Sequence, residues 1–64
     1  MRELVLKGYG VRVRSRRGLL VVESGEGKLE VSPSELEQVV VVSGGVSLTS
    51  SAVRLLMRHG ADLV

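Results

Sequence analysis

Short apolar runs separated by glycine-bearing polar segments fill the chain as far as Leu48, and that rhythm predicts strands. Leu4-Val5-Leu6 is the first, closed by Lys7-Gly8-Tyr9-Gly10, a turn whose glycines can take a positive φ. Val11-Arg12-Val13-Arg14 alternates strictly, which places its valines on one face and its arginines on the other. Arg17-Gly18 predicts a tight turn into Leu19-Leu20-Val21-Val22, a run apolar on both faces and therefore expected at the centre of a sheet. Ser24-Gly25-Glu26-Gly27-Lys28 predicts a second turn, leading to a short strand at Leu29-Glu30-Val31. Strands joined in this way form an antiparallel meander.

The pattern changes at Ser32-Pro33-Ser34-Glu35, where an N-cap serine, a proline at the first helical position and a glutamate three residues on spell a capping box. A single helical turn is expected there, ending by Glu37. Val39-Val40-Val41-Val42 is β-branched throughout and predicts a buried strand, closed by Ser43-Gly44-Gly45. Val46-Ser47-Leu48 predicts a further brief strand. One true helix follows, capped by Thr49 or Ser50, with Ala52, Val53, Leu55, Leu56 and His59 on or near one side and Arg54 and Arg58 on another. Gly60 suits the position just past its end, and Ala61-Asp62-Leu63-Val64 opens another strand. The expected fold is mainly β with one α-helix near the C-terminus, a small α+β domain whose antiparallel hairpins form two sheets. Residues 1–64 read as one unit, with no internal repeat or linker. A pattern that breaks off inside a strand is expected of a fragment, or of a domain whose next strand comes from elsewhere.

Composition sharpens this in two ways. A chain of 64 residues buries only about 60% of its unfolded surface, so its stability is marginal without a staple. The absence of cysteine removes disulfides and thiolate zinc sites, which leaves oligomerisation or docking as the expected supplement. No apolar run approaches the roughly 20 residues of a membrane span, and Met1-Arg2-Glu3-Leu4 lacks the features of a signal peptide. A soluble cytoplasmic protein with no membrane contact is the expectation. Charge is uneven along the chain. Residues 1–17 carry Arg2, Lys7, Arg12, Arg14, Arg16 and Arg17 against Glu3, whereas Glu23, Glu26, Glu30, Glu35 and Glu37 outweigh Lys28 in the middle.

Candidate chemistry is sparse. His59 is the only histidine, so no histidine pair can bind a metal, and no serine has a His/Asp partner set. The glutamates flank turns, as solvated charges do. Gly8-Tyr9-Gly10 begins like a dinucleotide loop but meets Val13 where the third glycine belongs, and no helix follows. This chain by itself is not expected to be an enzyme. What remains is a binding surface of Tyr9, Arg12, Arg14, Arg16 and Arg17. Alternate strand residues stand roughly 6.5–7 Å apart, close to the spacing of successive phosphates on one strand, and a tyrosine held between glycines is placed to stack. The alternative for the arginines is a solvated strand face, and for Tyr9 half-burial against the hairpin.

The order of these pieces resembles the N-terminal domain of the CRISPR-associated adaptation endonuclease, the Cas one integrase family. The matching segments are Tyr9-Gly10 opening an alternating strand, Gly18-Leu19-Leu20-Val21-Val22-Glu23, and Glu35-Leu36-Glu37-Gln38-Val39-Val40-Val41. Gly45-Val46-Ser47-Leu48-Thr49, the helix from Ala52 to His59-Gly60, and Leu63-Val64 complete the likeness. The resemblance implies a β-rich N-terminal domain followed by an all-helical one, and homodimers to which the N-terminal domains contribute. It implies a small ferredoxin-like partner subunit that bridges two dimers, and the capture and insertion of protospacer DNA. The implied reaction is a transesterification dependent on Mg or Mn. Its metal ligands lie in the helical domain and none maps onto these residues, so no cofactor is expected in this chain. Some members of the family use a tyrosine in the early hairpin as a wedge on the last base pair, and Tyr9 is similar in position.

Two other readings compete. Val11-Arg12-Val13-Arg14-Ser15-Arg16-Arg17-Gly18 also resembles swapped-hairpin AbrB-like regulators, although those follow the strand with an Ile-Pro segment and a helix. The other is a purely structural oligomerisation domain.

Overall fold

The computed structural model describes residues 2–64. The described residues form seven strands and one α-helix: β1 (Glu3–Leu6), β2 (Val11–Arg16), β3 (Leu19–Ser24), β4 (Gly27–Val31), β5 (Gln38–Val41), β6 (Val46–Leu48), α1 (Ser50–Arg58) and β7 (Asp62–Leu63). They make two sheets, one of three strands in the order β1-β5-β7 and one of four in the order β4-β3-β2-β6. The mainly-β, two-sheet class with a late helix is therefore the observed one.

The meander β2-β3-β4 is antiparallel, and its two-residue turn at Arg17-Gly18 fixes the register Arg16↔Leu19 through Arg12↔Glu23. Both turn residues take positive φ, 52° at Arg17 and 77° at Gly18, the backbone that a twisted two-residue hairpin requires. In β3, Leu20 and Val21 point to opposite faces and both are fully buried, as a central strand predicts.

The remaining pairings are parallel, which the hairpin reading of residues 4–14 did not foresee. β1 and β2 lie in different sheets, so Lys7-Gly8-Tyr9-Gly10 is a crossing between sheets and closes no hairpin. β5 lies alongside β1 and β6 alongside β2, with Glu3↔Gln38 and Val11↔Val46, the same offset of 35 residues in both sheets (38 − 3 and 46 − 11). Residues 3–13 and 38–48 thus run side by side through both sheets and across the gap between them. Their sequences share only Val5/Val40, Gly10/Gly45 and Val11/Val46 at that offset, which is why no repeat stands out in the sequence.

Two local expectations shift. The capping box at Ser32 does not form: Ser32 makes no side-chain cap, and its hydroxyl pairs with that of Ser34 at 2.9 Å. Glu35 instead reaches Arg2 at 3.2 Å, and Pro33–Glu35 closes only a 3-10 turn. The Glu35 N–H, which the box would give to the Ser32 hydroxyl, donates instead to the Ser32 carbonyl at 3.2 Å, closing the 3-10 turn. The valine strand β5 ends at Val41 and is only partly buried: Val39 is fully buried, Val40 and Val41 are half-buried, and Val42, past its end, is exposed.

Helix α1 behaves as its sequence predicts at both ends. The Ala52 N–H donates to Thr49 Oγ1 at 3.1 Å. At the other end the Ala61 and Gly60 N–H groups donate to the Leu56 and Met57 carbonyls, the Schellman pattern. His59 caps the helix and is exposed, so it does not join the apolar side. Ala52, Leu55 and Leu56 carry the helix onto a core shared with Leu6 and Val39 of one sheet and Val13 and Leu20 of the other.

Candidate nucleic-acid interface

Strand β2 sets the geometry of the site. Its alternation turns Val11 and Val13 into the core and leaves Arg12, Arg14 and Arg16 on the opposite face. Arg16 lies four residues along the strand from Arg12, which makes the row about 13 Å long. Arg17 leaves the row, since it occupies the hairpin turn in the left-handed region. Val21, opposite Arg14 in the register, lies on the same face as the arginines and has no exposed surface.

The arginines are not equivalent. Arg14 Nε donates to Glu23 Oε1 at 2.6 Å, and Glu23 also lies directly opposite Arg12 in the register. The Glu23 carboxyl is held below the usual carboxylate range, chiefly by that hydrogen bond from Arg14. Burial opposes this effect, and the nearby charges of Arg14, Arg12 and Lys28 reinforce it. Arg12 and Arg16 are exposed, whereas Arg14 is half-buried and already partnered. An open groove beside the pair is lined by Arg12, Arg14, Glu23, Ser47 and Thr49. Sequence reasoning set Glu23 among solvated charges, yet the two-residue turn at Arg17-Gly18 dictates that it faces Arg12.

This pair carries a pH expectation. A carboxylate whose pKa is lowered on folding adds stability that is present above its unfolded pKa and lost as pH falls through the folded one. Thermal midpoints measured from neutral pH downward should therefore fall less steeply in Glu23→Gln than in the parent, in the range below the ordinary glutamate pKa. Parallel curves would remove the pair from the acid sensitivity of the fold.

Tyr9 is the other half of the site. It stands 91% exposed between Gly8 (φ 104°) and Gly10 (φ 67°), both in the left-handed region that favours glycine. Half-burial against a hairpin is thus excluded for this residue. Because Tyr9 is two residues ahead of β2, it sits at the Arg12 end of the basic row. The tip is backed by the loop that crosses beside it. Ser43 Oγ donates to the Gly8 carbonyl at 2.6 Å and accepts from the Gly45 N–H at 3.1 Å, and the Val11 N–H donates to the Gly45 carbonyl at 3.1 Å.

An aromatic tip at the end of a row of guanidinium groups can stack on a flat π-system and contact phosphates in sequence-independent fashion. Among the described residues no group of three or more His, Asp or Glu stands close enough to hold a metal ion. The described residues thus do not fit a Mg or Mn centre. No helix among them is long and apolar enough to cross a membrane.

Fold and site together define a two-sheet β-domain with a late helix, an exposed tyrosine tip and a row of arginines along one strand face. Comparison with known proteins gives that class a family. The sequence model of the family described as CRISPR associated protein Cas1 matches residues 4–64. The chain belongs to the Cas1 family. It is 39% identical over 59 residues to the CRISPR-associated endonuclease Cas1 2 of Pyrobaculum aerophilum, covering 92% of this chain and 20% of that protein. It is 33% identical over 64 residues to the CRISPR-associated endonuclease Cas1 2 of Saccharolobus solfataricus, covering all of this chain and again 20% of the relative. The chain therefore spans about a fifth of the length of these relatives. Solved structures share the fold: a TtCas1-DNA complex superposes with a TM-score of 0.82 at 23% identity, over 98% of this chain and 22% of that one. A casposase bound to its integration product superposes with a TM-score of 0.78 at 21% identity, over 98% and 21%. Family membership decides against the AbrB-like reading.

Proposed function

We propose that these 64 residues act as the N-terminal domain of a CRISPR adaptation endonuclease/integrase, where they bind a DNA duplex end and contribute to a homodimer. The observation that carries the DNA-end reading is the exposed, backed Tyr9 tip at the head of the Arg12/Arg14/Arg16 row. Arg12 and Arg16 supply exposed cations for phosphates, and Arg14 is held beside them by Glu23. Protospacer DNA is the substrate in this reading, with the small ferredoxin-like subunit as a further partner. Metal-dependent strand transfer is assigned to residues outside these 64, because no donor cluster forms here among the described residues. Divalent-metal-dependent nicking by the purified chain would contradict that assignment.

Phosphate contacts release counterions, so affinity should fall steeply with salt. Anisotropy titrations with a short linear duplex at several salt concentrations test this. Arg12→Ala combined with Arg14→Ala should weaken binding and lower the magnitude of the salt slope by about 1–2. An unchanged slope would return the row to being a solvated strand face.

The homodimer reading rests on the outer face of the three-stranded sheet. Parallel sheets are ordinarily covered on both faces, yet here Val5, Val42 and Val64 are 48%, 57% and 62% exposed on one of them. A second copy of the chain would cover these valines. Light scattering at micromolar concentration should show a dimer or larger, and substituting Val5 and Val42 by threonine should shift it towards monomer. A parent chain that stays monomeric over that range would remove the dimer.

A further inference from the structure

We infer that Ser43 and Gly45 are positioning residues for Tyr9, holding the tip in the orientation in which it meets its ligand; this rests on the DNA-end reading above. The crossing at residues 7–10 has no sheet partner of its own, and a Gly-Tyr-Gly segment on its own would be free to move. The second crossing, at residues 42–45, removes that freedom. It runs alongside at the same 35-residue offset as the flanking strands, so the parallel ladder is carried across the gap. The Val42 N–H donates to the Leu6 carbonyl at 3.0 Å and the Val11 N–H to the Gly45 carbonyl at 3.1 Å, which pins both ends of the tyrosine loop. Between them one hydroxyl does two jobs: Ser43 Oγ grips the Gly8 carbonyl and at the same time receives the Gly45 N–H.

Gly45 is required here for space. A β-carbon at this position would collide with the Gly8 carbonyl oxygen, stand 2.7 Å from Tyr9 Cα and 3.0 Å from Tyr9 Cδ1. The first two are backbone atoms, so the loop itself would have to move. The Tyr9 ring therefore lies along the Gly45 backbone on one edge while nearly all of its surface faces outward. Such an aromatic is aimed before any ligand arrives, and a pre-aimed group binds with less ordering cost than a mobile one.

The sole aromatic residue makes this directly readable, because every tyrosine signal of the chain belongs to Tyr9. The parent, Ser43→Ala, Ser43→Thr and Gly45→Ala are compared by near-ultraviolet circular dichroism and tyrosine fluorescence anisotropy, with far-ultraviolet spectra as the check on folding. Each is then titrated with a short linear duplex and a closed circle. Ser43→Ala and Gly45→Ala should reduce both tyrosine signals and weaken linear-duplex binding by roughly threefold to tenfold, part of the value of one stacked base, while circle binding holds. Ser43→Thr, which keeps the hydroxyl, should restore both readouts. Should Gly45→Ala fail to fold, the Ser43 pair decides alone. Tyrosine signals identical to the parent in Ser43→Ala would overturn the positioning role. Altered signals with unchanged linear-duplex binding would show that the tip is positioned but does not read a DNA end, and would remove the inference together with the reading it rests on.

Discussion

Leu56→Ala should remove about half of the domain's stability. Leu56 is 1% exposed on α1, and that helix packs against β2 of one sheet and β7 of the other. Its side chain joins a core containing Leu6, Val13, Leu20 and Val39, so the cavity would open where both sheets and the helix meet. A buried leucine truncated to alanine costs about 2–5 kcal/mol. Domains of this size have roughly 3–10 kcal/mol in total, at about 0.05–0.15 kcal/mol per residue. No disulfide limits the loss. Urea titration should show the midpoint of the variant reduced to about half that of the parent, whereas Met57→Ala, which removes an exposed side chain from the next position, should leave the midpoint almost unmoved. Equal midpoints for Leu56→Ala and the parent would mean that the sheets are held together without the helix.

How far the sequence foretold this architecture depends on the range of the interaction involved. Alternation in Val11–Arg14, the doubly apolar run at Leu19–Val22 and the turn residues between them are local signals, and the meander they predict is the one formed. The Thr49 cap and the Gly60 termination are equally local. What the sequence hid was the parallel pairing of residues 3–13 with 38–48. Two strands joined by a short glycine loop read as a hairpin unless the partner 35 residues away is known, and nothing nearby distinguishes a crossing from a reversal. The capping box at Ser32 failed for a related reason: the motif presumes a helix long enough to need capping, and the chain returns to a strand at Gln38.

The candidate site divides along the same line. Tyr9 between glycines and the arginines at alternate positions were readable in the sequence, because strand periodicity alone places them. Glu23 could have been found from the hairpin register once Arg17-Gly18 was taken as a two-residue turn, since it then stands opposite Arg12. Ser43 and Gly45 had no such signal. Their contribution exists only because the two crossings lie side by side, so it becomes visible with the fold.

Tyr9→Ala is the second large effect, and it separates stacking from charge. An aromatic–base stack is worth about 1–3 kcal/mol, so the variant should lose roughly fivefold to 150-fold in affinity for a duplex with a free end. The substitution removes an exposed side chain, and the thermal midpoint should stay close to that of the parent. Arginine contacts to phosphate do not depend on an end, so binding to a closed circle of the same composition should be almost unaffected. The decisive measurement is therefore a paired anisotropy titration of the parent and Tyr9→Ala against a short linear duplex and a closed circle at one fixed salt concentration. The parent should prefer the linear duplex, and Tyr9→Ala should erase this preference by weakening the linear complex alone. Equal loss on both forms, or no preference in the parent, would contradict it.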